Sequence, residues 1–401
     1  MNDPTQCHDH SELPKTWPSL QNILDYRDRV NQRIIGLYND PKTFGNRTIE
    51  RALWIGFEHE GESTLQPHTV LSFCIDKLMT VIIALHLETF LYMTLQSPNI
   101  KPPPGPAPDW TAMAKKAHLE RVENQWFQIP AQEFTIGFDD PESDDGPDRF
   151  FAWDNEREPY SVTMPKFEAQ ARPVCNEEYA TYLVSTGKSE MIPITWTKLA
   201  SGNGHDISGN SEANSHGLNG HGSNGHSTNG NGVKNDALEQ FINSHAIKTV
   251  YGPIPLTLAL DWPLMSSYQE AEAYAEWVGA RIPTLHEMRS IHEHVEKQKK
   301  AALPHNDVEV ENKRLDPEEI FVDLTGCNTG LHNFHPTPVT QNGGRLSGLG
   351  DMGGAWEWSS SWFAPQPNFK PMDIYPGYSG MCSHLSSILV YTNLHTLQLI
   401  S

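Results

Sequence analysis

Residues 101–109 read Lys-Pro-Pro-Pro-Gly-Pro-Ala-Pro-Asp. Prolines at this density remove amide donors and fix φ, so neither a helix nor a central strand can pass through the run. The chain is thereby split into two parts of different texture. Before the break, Leu20, Ile23, Leu24, Tyr26, Val30, Ile34, Ile35 and Leu37 recur at helical spacing behind Pro18 and predict an amphipathic helix from Trp17 to Tyr38. Residues 46–60 and 86–96 supply further helical material, so 14–100 reads as part of a helical bundle and 101–119 as a Pro-rich linker. Beyond the break come short segments separated by Gly, Pro and Asp. Residues 126–130 and 133–138 read as strands, and 179–185 and 268–278 as helices.

A length of 401 residues suits two domains, each with enough chain to bury a core. The net charge of −21 offers no basic surface to nucleic acid or to an anionic membrane, and both are excluded as partners. The apolar stretch from Val70 to Leu85 is broken by Asp76 and Lys77 and is too short to span a bilayer. The first fifteen residues contain no apolar core of a signal peptide. The five cysteines, Cys7, Cys74, Cys175, Cys327 and Cys382, form no Cys-x-x-Cys pair or disulfide framework, which favours a reducing, cytoplasmic setting.

Residues 201–233 are dominated by Gly, Asn, Ser and His and are expected to form a disordered loop. Its histidines, His205, His216, His221 and His226, belong to a tract that would lose much chain entropy on closing around a metal, so a solvated loop is the expectation. Residues 297–317 are highly charged and read as another exposed excursion. Residues 321–362 are dense in Gly, Asn, Asp and Trp, a composition suited to an irregular core where glycines permit close backbone approach and indoles fill volume.

The motif richest in chemistry is interrupted. His59-Glu60 closes one helical run and His86-Leu87-Glu88 opens another. Joined with two residues between Glu60 and His86, they read His-Glu-x-x-His-x-Glu, with two imidazoles at i and i+4 on one helical face, which is metal-ligand spacing. The codons allow the join. Gly61-Glu62-Ser63 can be GGT GAG TCN, which contains a GTGAGT splice donor. Leu78-Met79-Thr80 can carry a branch point, and Ile83-Ala84 an AG acceptor, in frame. Residues 61–84 are therefore expected to be a retained intron. Gly380-Met381-Cys382 can encode a second donor, GTATGT, and 381–401 is expected to be an intron-derived tail.

Ala280-Arg281-Ile282-Pro283-Thr284-Leu285-His286-Glu287 and Asp351-Met352-Gly353-Gly354-Ala355-Trp356-Glu357-Trp358, with Pro173-Val174-Cys175-Asn176-Glu177-Glu178-Tyr179 upstream, resemble the formylglycine-generating-enzyme, or sulfatase-modifying-factor, domain. Together with an N-terminal His-x-x-x-His-x-Glu, the arrangement resembles the iron-dependent sulfoxide synthases of ergothioneine biosynthesis, in particular the oxygenase part of the fungal bifunctional type. The resemblance covers residues 5–60 and 85–379.

The resemblance implies an α+β fold: a partial DinB-like helical bundle over 14–100, then a C-type-lectin-like formylglycine-generating-enzyme domain over 120–380, with the active site between them. It implies a mononuclear Fe(II) held by three histidines. The reaction implied is oxygen-dependent coupling of hercynine to a cysteine-type thiol, cysteine or γ-glutamylcysteine, to give a sulfoxide. His59 and His86 match two of the ligands, and neutral imidazole suits Fe(II). Glu88 lies about 200° round the helix from His86 and fits a partner of a ligand rather than a ligand. The third family histidine comes from an earlier helix; His8 and His10, in a loop-like stretch, do not match it. The family's C-terminal Gly-Gly-Ser-Trp strand has no counterpart after Gly380. Tyr375 and Tyr378 are the candidates for the family's proton-donating tyrosine. Two other readings compete, a formylglycine-generating enzyme, which needs a reactive cysteine pair late in the domain, and a non-catalytic lectin-like binding module.

Overall fold

The computed structural model describes residues 18–43, 99–137, 154–199, 231–302, 333–346 and 357–362. Shorter pieces lie at 49–50, 52–53, 308–310, 313–315, 368–371 and 389–392, with a few isolated residues between. The N-terminal helix α1 runs Leu20–Tyr38, starting behind Ser19, whose hydroxyl caps the Asn22 amide. The predicted amphipathic pattern is helical, but none of its residues is buried: Leu20 is 71% exposed, Tyr26 63% and Ile35 58%.

Helix α2, Trp110–Glu120, begins directly after the proline run, with Asp109 accepting from the Ala112 amide. The linker expected over 101–119 therefore stops at Asp109, and its second half is a helix packed on the domain: Trp110 and Met113 lie against the main core. Strands β1 (Trp126–Ile129) and β2 (Gln132–Ile136) follow, then β3 (Tyr160–Met164) and β4 (Phe167–Gln170). β1 pairs antiparallel with β4, and β2 with β3.

Helix α3, Asn176–Ser185, buries Asn176, Tyr179, Ala180 and Leu183, an i, i+3, i+4, i+7 stripe. Strand β5 (Trp196–Lys198), helix α4 (Asn231–Asn243) and strands β6 (His245–Thr249) and β7 (Gly252–Pro255) come next; β5, β6 and β7 form a three-stranded antiparallel sheet. The loop expected over 201–233 thus gives way to helix at Asn231. Helix α5, Tyr268–Trp277, opens on a reciprocal cap between Ser267 and Glu270. Tyr179, Leu183, Trp196, Ile254, Leu256, Trp262 and Tyr274 are the large members of the main core, where α3, α5 and this sheet meet.

Helix α6, Leu285–Ala302, crosses β1, β2 and β3, and Ile291 and Val295 join Ile129 and Ala169 in a second small core. Part of the charged excursion expected over 297–317 is helical, followed by an antiparallel pair β8 (Val308–Val310) and β9 (Lys313–Leu315). Finally β10, Glu357–Trp362, pairs antiparallel with β11, Leu389–Thr392, through an irregular register between Trp358 and Trp362. Part of 381–401, the segment expected to be an intron-derived tail, is thus paired with β10; backbone pairing makes few demands on side-chain identity.

His292 on α6 carries a pH consequence. Its Nδ1 is buried without a hydrogen-bond partner. Burial, aided by Arg289 and Lys299, pushes the imidazole from 6.5 down to about 4. The unfolded chain therefore takes up the proton first as pH falls, and stability is present in full above 6.5 and lost towards 4. Denaturant unfolding at stepped pH is expected to show a loss of roughly 1–3 kcal/mol across that window, flattened in His292→Gln.

Candidate functional site

Two of the motif segments meet at the N-terminus of α6. Arg281 grips Glu287 with both guanidinium arms at 2.9 and 2.6 Å. The same carboxylate accepts from the Thr284 amide and hydroxyl, both at 2.8 Å, and so closes the first turn of the helix. Burial alone would raise the Glu287 carboxyl; the bonds from Arg281 and Thr284 outweigh it and hold it below its ordinary range. Strand β10 is tied to this turn by the Ser360 amide donating to Pro283 O at 2.8 Å, and by the Ser361 hydroxyl accepting from the Leu285 amide at 2.9 Å. The Trp358 indole donates to Ser266 O at 2.9 Å and meets Tyr268 edge-on. A shallow cavity opens beside this junction, lined by Tyr268, Glu272, Glu276, Arg281 and Ser360. On the other side of the turn, the Tyr160 hydroxyl lies 3.3 Å from His286 Nε2.

The third motif segment forms a buried polar knot at the start of α3. Arg172, 3% exposed, holds Glu178 with two bonds of 3.0 Å, and Glu178 caps the helix through the Cys175 amide at 2.7 Å. Cys175 is 2% exposed, and burial, then the Glu178 charge, push its thiol well above the usual value. Such a thiol is inert as a nucleophile at neutral pH. Arg121 reaches Glu177 and Asp261 from the end of α2. Burial opposes its charge, and the hydrogen bond to Asp261 and the Glu177 charge overcome it, so the guanidinium is raised. Asp261 also accepts from the Thr340 hydroxyl at 2.6 Å.

The residues with predicted chemical roles are not among these. His59, His86, Glu88, Tyr375 and Tyr378 all fall outside the described residues, as do residues 61–84 and Cys327 and Cys382. Among the described residues no three His, Cys, Asp or Glu side chains converge as a metal-binding group. Nor is any described helix long and apolar enough to cross a membrane. The Tyr160–His286 and Arg121–Asp261 contacts were not foreseen in the sequence; their partners stand 126 and 140 residues apart, and no local pattern signals them.

The architecture, small antiparallel sheets with helices, is α+β in class, and the sequence that forms it matches a known family. Residues 113–393 match the sulfatase-modifying factor enzyme 1-like domain, and the chain belongs to that family. Beyond the domain, the chain is 37% identical over 94% of its length to ergothioneine biosynthesis protein 1 of Neurospora crassa, covering 43% of that protein. It is 24% identical, also over 94% of its length, to the protein of the same name from Schizosaccharomyces pombe, covering 40% of it. Hercynine oxygenase of Mycolicibacterium smegmatis is 27% identical over 63% of this chain and 48% of its own. The chain thus spans less than half the length of these relatives.

Proposed function

We propose that this chain carries the oxygen-dependent step that joins hercynine to a cysteine-type thiol, cysteine or γ-glutamylcysteine, as a sulfoxide in ergothioneine biosynthesis. One observation carries the reading. The likeness to the two ergothioneine biosynthesis proteins covers 94% of the chain, so it extends past the family domain at 113–393 into the N-terminal part that holds His59 and His86. In this reading residues 14–100 form a partial DinB-like bundle, 120–380 the lectin-like body of the second domain, and the protein works in the cytoplasm. Residues 61–84 and 381–401 are products of unspliced introns.

His59 and His86 are the proposed Fe(II) ligands, with Glu88 orienting one of the imidazoles, and Tyr375 or Tyr378 the proton donor. Imidazole donors suit Fe(II), which when bound would supply the activation of oxygen. The described residues offer no donor set of their own for the metal, so the assignment rests on the histidine spacing and on the resemblance.

The chain with residues 61–84 reduced to the single alanine that splicing leaves, completed by the helix that supplies the third histidine and by a spliced C-terminus, is expected to bind one Fe(II) and form hercynylcysteine sulfoxide. Glu88→Gln should then lower the rate about 10- to 100-fold and weaken iron, as losses behind a metal ligand do. Metal analysis and product mass spectrometry check both. A completed protein that holds iron but makes no carbon–sulfur product would refute the reading.

A further inference from the structure

Helix α2 buries little of itself. Of its eleven residues only Ala117 is fully buried, and Leu119 is 76% exposed. Yet both of its ends are fastened to distant parts of the domain. At the start, Trp110 meets three rings from three segments: His335 edge-on at 4.8 Å, Tyr251 edge-on at 5.5 Å and Trp262 at 5.7 Å. Ring arrangements of this kind add directional preference to simple burial. At the end, Arg121 is held by Glu177 and by Asp261, with a bond of 2.8 Å to the latter.

The next turn of chain is stitched down as well. The Val122 amide donates to Thr340 O at 2.9 Å, and the Gln125 amide to Gly343 O at 3.0 Å. A Cβ on Gly343 would stand 2.3 Å from Val122 O and 2.4 Å from Glu123 O, so only glycine allows this approach. Trp110, Met113 and Ala117 turn one narrow face to the domain, and the fastenings at the two ends add to that contact and fix the helix axis.

The chain entering α2 transmits that axis outward. The Trp110 amide donates to Pro108 O at 3.0 Å, and residues 101–109 are proline-rich, which makes a semi-rigid spacer. We propose that α2 is a positioning strut: the seating of Trp110 and Arg121 sets the direction in which the N-terminal part, with His59 and His86, leaves the domain. For its catalytic consequence this rests on the function proposed above, in which the N-terminal histidines and the domain share one site. A displacement of about 1 Å in such a shared site is enough to cost on the order of 100-fold in rate. Trp110 and Arg121 are positioning residues here and touch no substrate.

The test uses the full chain with non-cysteine spin labels at Lys101, before the proline run, and at Thr181 on α3, both exposed. The parent is expected to give one narrow distance distribution. Trp110→Ala and Arg121→Gln should broaden it about two-fold, as expected when a stiff spacer loses its anchored end, and Leu119→Ala on the exposed face should not. Thermal unfolding identifies any variant that fails to fold; Trp110→Phe, which keeps a ring in the box, then replaces Trp110→Ala and should give an intermediate width. An unchanged width in a folded Trp110 or Arg121 variant, or a broad distribution in the parent, overturns the proposal. In the completed, iron-loaded enzyme the same variants should lose about 10- to 100-fold in kcat with the KM for the thiol unchanged. Broadening without that loss overturns the catalytic part. A parent that makes no sulfoxide while the distances behave as expected instead overturns the function proposed above and leaves the strut standing.

Discussion

Replacing His86 by alanine in the completed enzyme is expected to abolish sulfoxide formation, with turnover from hercynine, thiol and oxygen falling to background. A metal site with few protein ligands has little to spare: each imidazole holds the ion and also defines which coordination positions stay open for reactants. Loss of one therefore removes both affinity and geometry. His59→Ala should behave in the same way, because in the proposed site the two imidazoles share one helical face, at i and i+4 once residues 61–84 are reduced to the single alanine codon that splicing leaves. In the 401-residue chain the two histidines are separated by the intervening segment, and iron should bind poorly with or without the substitution. Iron content by elemental analysis and product by mass spectrometry are the readouts. Full sulfoxide synthesis by the His86→Ala form would show that the metal site is elsewhere.

The largest effect on stability is expected at Trp262. It is 1% exposed and is the largest fully buried side chain among the described residues. Its ring stacks on His335 at 5.7 Å and packs against Trp110, while its backbone carbonyl accepts from the Asn176 amide at 3.0 Å at the start of α3. The side chain thus joins α2 to the segment before Thr340, while the backbone beneath it ties in α3. Trp262→Ala should cost about 3–5 kcal/mol, the range for deleting a large buried ring where the surroundings cannot collapse. Trp262→Phe should cost clearly less, since it keeps an aromatic surface and the buried indole Nε1 it removes has no hydrogen-bond partner. Denaturant midpoints at constant slope measure both. A Trp262→Ala protein as stable as the parent would mean that the core does not close around this residue.

Elements with a strong local period were readable in advance. The helices α1, α3 and α5 and the strands β1 and β2 fall within a few residues of their predicted spans, because a 3.6- or 2-residue repeat of apolar positions is written into the local chain. Where prediction and structure part, a distant contact decided. Trp110 looks like a linker residue until Tyr251, Trp262 and His335 are brought round it. The charges over 297–317 suggested an exposed excursion, but the first of them belong to a half-buried charged face of α6, where Arg289 pairs with Glu293 at 2.9 Å and Glu296 with Lys299 at 3.6 Å. Leu389–Thr392 matched no expected motif and still completes a ladder with β10.

By itself, the order of residues determined the family and the candidate chemistry. The segments around Arg281, Trp358 and Cys175 carry the resemblance, and the spacing of His59 and His86 carries the metal hypothesis; both are short-range patterns that survive without coordinates. The tertiary structure alone decided how the motif segments are held: Ser360 and Ser361 against the turn before α6, Asp261 between Arg121 and Thr340, and Gly343 beneath the carbonyls of Val122 and Glu123. These partners are set by how the chain closes over long separations, a cost and a geometry that no local window of sequence contains.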